Sequence, residues 1–186
     1  MRPEPDAELE SEVYENESFR GLDLSGLRTT RCTFLACDFT LAQVNGSEHV
    51  GTDFANSTFE SANLFGASFA ECRLVGASFA GATLTGLTVA GGDWSYVLLR
   101  GQDLSGLDLQ RLRLREADLS EADLTDADLR GADLTRARLH NALLAGADLR
   151  DTLVDGVDLS AARISEARLD LAGAVQLARS LGAVVE

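Results

Sequence analysis

An apolar residue recurs at every fifth position along most of this 186-residue chain. The register runs from Tyr14 to Leu169 without a slip, and 30 of its 32 positions are apolar. A helix would spread residues five apart around its circumference, and a flat strand would alternate them between its two faces. The repeat therefore predicts a chain that turns a corner once per repeat, so that each fifth side chain points to one axis and successive coils pair as strands.

A second column, two residues before the apolar positions, consists mostly of small side chains. It includes Ala117 through Ala147 at every fifth place. A narrow, close-packed interior requires small inward residues at such positions. All three cysteines, Cys32, Cys37 and Cys72, fall in this column, so we interpret them as small buried thiols without a reactive role.

Segments such as Ala117–Glu121 and Ala122–Asp126 consist of Ala-Asp-Leu followed by two variable residues. In this pattern the chain resembles the pentapeptide-repeat family over residues 14–170. The resemblance implies an all-β fold, a right-handed quadrilateral β-helix with four repeats per coil. Four sides would give about 8 coils and a rod of roughly 38 Å at the spacing of paired strands.

Four sides also place residues twenty apart in one column. Phe19, Phe39, Phe59 and Phe79 are then expected to stack, and the two polar core residues, Thr29 and His49, become neighbours. His49 is a candidate ligand or base, but no Asp or Cys cluster accompanies it in the sequence. A hydrogen-bonded core position is therefore the favoured interpretation.

The two ends of the chain depart from the repeat. Residues 1–13 are predicted to be a flexible acidic arm, and residues 14–169 the β-helix. Residues 170–186 predict a short helix with Asp170 as its N-cap. Its apolar residues, at helical spacing, are Leu171, Ala174, Val175, Ala178 and Leu181. The residues alone leave open whether this helix caps the rod or joins two copies, and the family resemblance implies a homodimer joined at the C-terminal end.

The pattern of polar residues predicts a binding protein and not an enzyme. No nucleophile–base set, phosphate loop or metal-ligand cluster is present, so we expect no catalytic residues, cofactor or metal. The first residues lack a signal-peptide pattern and no run is long enough for a membrane helix, which favours a cytoplasmic protein. The net charge of −14 should repel nucleic acid and anionic membranes, so neither is an expected direct partner.

The outward acids of the C-terminal half are the candidate binding surface. Asp108, Asp128 and Asp148 should stack as an unpaired ladder, which repulsion makes costly for the fold. The full predicted set is Asp103, Asp108, Asp118, Glu121, Asp123, Asp126, Asp128 and Asp148. Arg111, Arg113 and Arg115 are expected on another face, apart from these acids.

Within the family, the chain is similar to the mycobacterial fluoroquinolone-resistance members. The similarity rests on its length, its unbroken register, Asp23–Leu27 and the C-terminal helix. It implies a DNA mimic that binds and inhibits DNA gyrase and contributes to fluoroquinolone resistance. The alternative is a non-enzymatic scaffold that binds a different protein.

Overall fold

A computed structural model describes residues 3–186, and they form a rod of stacked coils. Each coil contains four repeats, because backbone pairing joins residues twenty apart. One ladder runs through residues 13, 33, 53, 73, 93, 113, 133 and 153, which are eight successive levels. All of these pairings are parallel. The right-handed quadrilateral β-helix that the family resemblance implied is confirmed.

We number the faces of the rod by their inward residues. The first face includes Leu9, Thr29 and His49 and later members at steps of twenty. The second begins at Tyr14, the third at Phe19 and the fourth at Leu24. Short strands occupy the first two faces in the N-terminal half, and they are β1 (Glu8–Glu10), β2 (Val13–Glu15), β3 (Arg28–Thr30), β4 (Thr33–Leu35), β5 (Glu48–Val50), β6 (Ser68–Ala70) and β7 (Thr88–Ala90). Strands β1, β3, β5, β6 and β7 form one sheet and β2 and β4 another.

The last residue of each repeat turns the corner of the square. It adopts a left-handed backbone conformation, as at Gly106 (φ 65°) and Asp126 (φ 56°). Glycine reaches this conformation without steric cost, and other residues do so at some cost that the rest of the coil must offset. The repeat thus alternates a short extended segment with a turn, as a five-residue period requires.

The core contains aromatic stacks in the N-terminal half and leucines beyond them. Phe19, Phe39, Phe59 and Phe79 stack in one column with ring centroids 4.8 to 5.0 Å apart, which confirms the predicted column. All three cysteines are buried and free, as the small inward column predicts. Stacked rings of this kind add directional packing to the burial of apolar area.

The prediction of a flexible arm was wrong for the residues that the structure describes between Asp6 and Glu12. Strand β1 pairs with β3, and Leu9 packs against the core five residues before Tyr14. Glu8 and Glu10 point outward and form ion pairs with Arg28 and Arg31. Because glutamates flank the single inward leucine, the segment has the composition of a flexible acidic arm. Met1 and Arg2, the first part of the predicted arm, lie outside the described residues.

The rod ends in a 3-10 turn (Leu159–Ala161) and helix α1 (Leu171–Ser180). The carboxylate of Asp170 accepts a hydrogen bond from Gly173 N at 2.8 Å, so the predicted N-cap is in place. The helix stops at Ser180, whereas the sequence predicted it over residues 170–186. No helix within residues 3–186 has the length and apolarity needed to cross a membrane.

Candidate protein-interaction surface

The eight predicted acids lie on the outer wall, and the structure separates them into two groups. Four of them form ion pairs with arginine: Asp118 with Arg138, Glu121 with Arg100, Asp128 with Arg130, and Asp148 with Arg150. The other four are Asp103, Asp108, Asp123 and Asp126. None of the arginines in residues 3–186 comes within ion-pair distance of these four.

The predicted unpaired ladder of Asp108, Asp128 and Asp148 was therefore wrong in part. The three residues do stack, since each pairs with the next through the backbone. However, Arg130 donates to Asp128 at 2.6 Å, and Arg150 donates to Asp148 at 2.6 Å. Side chains two apart on an extended segment point the same way, so the sequence Asp-Leu-Arg places the arginine beside its own aspartate.

These arginines also set the protonation of the stack. Hydrogen bonds from Arg150 lower the pKa of Asp148 to about 2, and hydrogen bonds from Arg130 lower the pKa of Asp128. Both carboxylates therefore stay ionised in mildly acidic solution. The pairing leaves little net charge for a basic partner, because each carboxylate already faces a guanidinium.

The four unpaired carboxylates surround one corner of the rod, between its fourth and first faces. Asp103 and Asp123 are adjacent on the fourth face, Asp108 lies on the first, and Asp126 occupies the turn between them. We call these four residues the acidic corner. Asp103, Asp108 and Asp126 are exposed and Asp123 is half-buried.

Local hydrogen bonds hold three carboxylates of the acidic corner in place, those of Asp103, Asp108 and Asp123. Asp103 accepts from the Ser105 hydroxyl at 2.6 Å and from its backbone N–H at 3.1 Å. Asp123 accepts from Thr125 N at 2.9 Å in the same way. The hydroxyl hydrogen bond lowers the pKa of Asp103. The acidic corner thus presents fixed negative charge, the arrangement that attracts a basic protein surface.

Asp118 and Glu121 do not belong to this surface. They lie on and next to the third face, across the rod from the first. Burial alone would raise the pKa of Asp118, but hydrogen bonds from Ser120 and the charge of Arg138 lower it. Arg113 and Arg115 lie on the second face, apart from the eight predicted acids. They face Asp93 and Asp133, two carboxylates outside the predicted set.

Helix α1 covers the open end of the rod with one side and exposes the other. Gln176 Nε2 donates to Val157 O at 2.7 Å, Ser180 Oγ lies 3.3 Å from the same oxygen, and Leu177 packs against the core. Leu171, the first residue of the helix, is 82% exposed, and Leu181, just after its last residue, is 70% exposed. Ala174 is also exposed, whereas Val175 and Ala178 are half-buried. The predicted apolar set therefore faces mainly outward, and different residues form the cap.

The family comparison agrees with this architecture. Pentapeptide repeats, in 8 copies, match residues 62–93, 89–120, 113–151 and 132–170. This chain is a member of the pentapeptide-repeat family. The matched segments include the whole acidic corner, so its carboxylates project from regular repeats.

Two curated pentapeptide-repeat proteins share substantial identity with the chain. It is 41% identical over 91 residues to the pentapeptide repeat protein MfpA of Mycobacterium tuberculosis, covering 49% of this chain and 50% of that protein. It is 39% identical over 54 residues to MfpA of Mycolicibacterium smegmatis, covering 29% and 28%. The chain thus spans about half the length, or less, of the curated relatives it matches.

Solved structures show the same fold at lower identity. A trypsin-treated variant of QnrB1, a plasmid-mediated fluoroquinolone resistance protein, has a TM-score of 0.71 at 23% identity, covering 98% of this chain and 91% of that one. Full-length QnrB1 has a TM-score of 0.68 at 22% identity, covering 96% and 92%. At this identity the similarity establishes the pentapeptide-repeat fold alone.

Proposed function

We propose that this pentapeptide-repeat protein is a DNA mimic that binds and inhibits DNA gyrase and lowers the sensitivity of gyrase to fluoroquinolones. Gyrase is the partner implied by the resemblance to the fluoroquinolone-resistance members, and the identity with MfpA supports that choice. The observation that carries the proposal is the acidic corner, four neighbouring carboxylates with which no arginine of residues 3–186 forms an ion pair.

The shape of the rod suits a groove that holds duplex DNA. Eight coils at the spacing of paired strands span about 38 Å, over which B-DNA carries roughly 22 charges at one per 1.7 Å. Residues 18–170 carry 14 arginines and 22 acids, a net charge of −8. The rod therefore carries less negative charge per unit length than B-DNA. Its charge must act where it is concentrated, at the acidic corner.

The proposed complex contains a homodimer joined through helix α1. Leu171, at the start of the helix, and Leu181, just after its end, expose large apolar side chains. Burying them against a second copy removes apolar area from water, at about 25 cal/mol per Å². Two rods joined end to end would double the length of acidic surface offered to a basic groove.

A supercoiling assay with purified gyrase tests the proposal. The intact protein should inhibit supercoiling, and the inhibition should weaken as added salt screens the charges. In the presence of a fluoroquinolone, the protein should reduce cleavage complexes because it competes with DNA for gyrase. No effect at micromolar concentration would contradict the proposal, and capture of another protein without any gyrase subunit would favour the scaffold alternative.

A further inference from the structure

The ladder of hydrogen bonds between coils is interrupted in the middle of the rod. Across two facing segments, 81–91 and 100–110, seven bonds that the repeat predicts are absent from the described backbone. The amides without their expected partners are those of Gly81, Leu84, Gly86, Val89, Gly91, Asp103 and Asp108. One coil earlier the same bonds are intact, since Leu64 N donates to Thr83 O at 2.9 Å and Gly66 N donates to Thr85 O at 3.0 Å.

The interruption covers two adjacent faces and spares the other two. On the fourth face residue 63 pairs with 83 and residue 103 with 123, while 83 and 103 do not pair. The same gap occurs on the first face between residues 88 and 108. On the second and third faces the ladder continues, with Trp94 N donating to Arg113 O at 2.8 Å and Leu99 N to Asp118 O at 2.9 Å.

Oversized residues in the small inward column explain why the coils part here. Leu87 and Leu107 are twenty residues apart, so they stack in a column that holds Ala67 one coil before and Ala127 one coil after. Two leucines cannot occupy the space of two small residues at the spacing of paired strands, and overpacking of this kind displaces backbone. Both are inward-facing, with Leu87 4% exposed and Leu107 packed against the core.

On the fourth face, Gln102 is a further bulky side chain that separates the two coils. It stands where the coils before and after have Ala82 and Ala122, and its side-chain amide donates to Phe79 O at 2.9 Å. On the second face, by contrast, Leu112 follows Gly92 in the small column, so two bulky side chains do not stack there. That face stays closed, as Arg113 N donates to Gly92 O at 3.3 Å.

The gap is narrow, because the core side chains beside it remain almost inaccessible to solvent. Leu84 and Leu109 are 4% exposed and Val89 is 9% exposed, against 0% for Leu64 and Leu124 in neighbouring intact coils. A bound strand would need about twice the 4.8 Å spacing of paired strands. The gap is therefore too narrow for a bound ligand, and it allows segments 81–91 and 100–110 to move relative to each other.

We infer that the rod contains a joint at this gap, about which an N-terminal segment (residues 3–91) and a C-terminal segment (residues 100–186) tilt relative to each other. The intact pairs on the second and third faces act as the hinge, and the corner between the fourth and first faces opens and closes. The whole acidic corner lies on the C-terminal segment, with Asp103 and Asp108 on the lip of the gap. Tilting thus changes where the N-terminal half lies relative to a partner held at the acidic corner.

Amide hydrogen exchange in the free protein tests whether the gap exists in solution, independently of any gyrase activity. The amides of Leu84, Gly86 and Asp103 should exchange at least about 100-fold faster than those of Leu64, Gly66 and Asp123, their equivalents in intact coils. Leu107→Ala should restore protection, because alanine is the residue of the intact coils. Leu112→Ala is the matched control, since it removes the same atoms from a face that is already closed.

Distances between paired spin labels test whether the segments tilt. Labels at Ser25 and Thr125 lie on the opened fourth face, and labels at Glu15 and Arg115 lie on the closed second face. Each pair is five coils apart, about 24 Å on a straight rod. The native cysteines are buried, so labelling is selective, and an excess of unlabelled protein removes signals between copies.

The joint predicts a longer mean distance and a broader distribution for the pair on the opened face. Leu107→Ala should make that distribution as narrow as the one on the closed face. Equal distributions for both pairs in the unmodified protein would overturn the joint. Equal protection of the two sets of amides would overturn the gap itself.

Discussion

The hydroxyl of Thr29 lies 2.8 Å from Nδ1 of His49, one coil farther along the first face. Ser47 Oγ lies 3.0 Å from Nε2 of the same ring, so both ring nitrogens have hydrogen-bond partners inside the core. The ring also packs edge-on against Phe54 with centroids 5.0 Å apart. His49 is therefore a satisfied core residue, which agrees with the interpretation favoured from the sequence.

This environment predicts a loss of stability in mild acid. Burial lowers the pKa of His49 to about 3, whereas a histidine in the unfolded chain titrates near 6.5. Between these two pH values, His49 binds a proton in the unfolded chain but not in the folded protein. The contribution of the neutral ring is full above about pH 6.5 and falls as pH drops toward 3, by up to about 1.4 kcal/mol per pH unit.

Chemical denaturation between pH 7 and 5 measures this effect where most carboxylates stay ionised. His49→Phe should flatten the dependence, since phenylalanine cannot bind a proton and would continue the column below Phe69. A wild-type free energy of unfolding that is constant across this window would contradict the assignment.

Gly92 predicts a severe local effect of a small substitution. Its φ of 103° disfavours other residues, and an added Cβ would lie 2.3 Å from Cys72 O in the coil before. Gly92→Ala should lower the free energy of unfolding by about 3 kcal/mol or more, because backbone must move. Gly101→Ala is the control, since φ is positive there but nothing lies within 4 Å of its Cβ; about 1 kcal/mol is expected. Equal losses would contradict the close approach.

Substitution of Arg130 should strengthen the proposed inhibition of gyrase. It pairs with Asp128 at 2.6 Å and approaches Asp148 at 3.9 Å, next to the acidic corner. Arg130→Gln should release negative charge and lower the concentration for half-inhibition of gyrase by about 2- to 5-fold at low salt. Arg31→Gln, near the N-terminal end, removes the same charge far from the corner and should change little. Weaker inhibition by Arg130→Gln would contradict the electrostatic account.

The exposed side of helix α1 predicts separable effects on assembly and on stability. Leu171→Asp with Leu181→Asp should halve the mass measured by light scattering, because charge on that side opposes burial against a second copy. Gln176→Ala removes the 2.7 Å hydrogen bond to Val157 O and should lower the thermal midpoint without changing the mass. A monomeric wild-type protein would contradict the proposed dimer.

The repeat predicted the core because every coil applies one rule, an apolar residue at each fifth place. Combined with the four sides that the family resemblance implied, it predicted the stack of Phe19 through Phe79. The column of small residues predicted the burial of the cysteines. It did not reveal which acids are neutralised, because that depends on pairs such as Asp118 with Arg138, twenty residues apart on the outer wall. Those pairs follow from the coil length, so a comparison of outward residues two and twenty apart would have found most of them.

The residues that cause the gap between the coils can also be found in the sequence, because they break the pattern of small inward residues. Leu87 and Leu107 looked like ordinary hydrophobic residues until twenty-residue stacking placed one above the other. In contrast, Leu9 was missed since two glutamates flank it, and pairing with β3 shows that it belongs to the core.

We expect the acidic corner, and not the net charge of the rod, to be responsible for gyrase inhibition. The decisive measurement compares two variants with the same charge change in a low-salt supercoiling assay. One carries Asp103→Asn, Asp108→Asn, Asp123→Asn and Asp126→Asn. The other carries Asp53→Asn, Asp93→Asn, Asp133→Asn and Glu116→Gln, which neutralise four arginine-paired acids on and beside the second face.

Asparagine keeps the oxygen that accepts the local hydrogen bonds, so both variants should retain the fold, and circular dichroism checks this. The corner variant should lose at least about 10-fold in inhibition, and the other variant should change by less than about 2-fold. Equal loss in both variants, or none in the corner variant, would contradict this expectation.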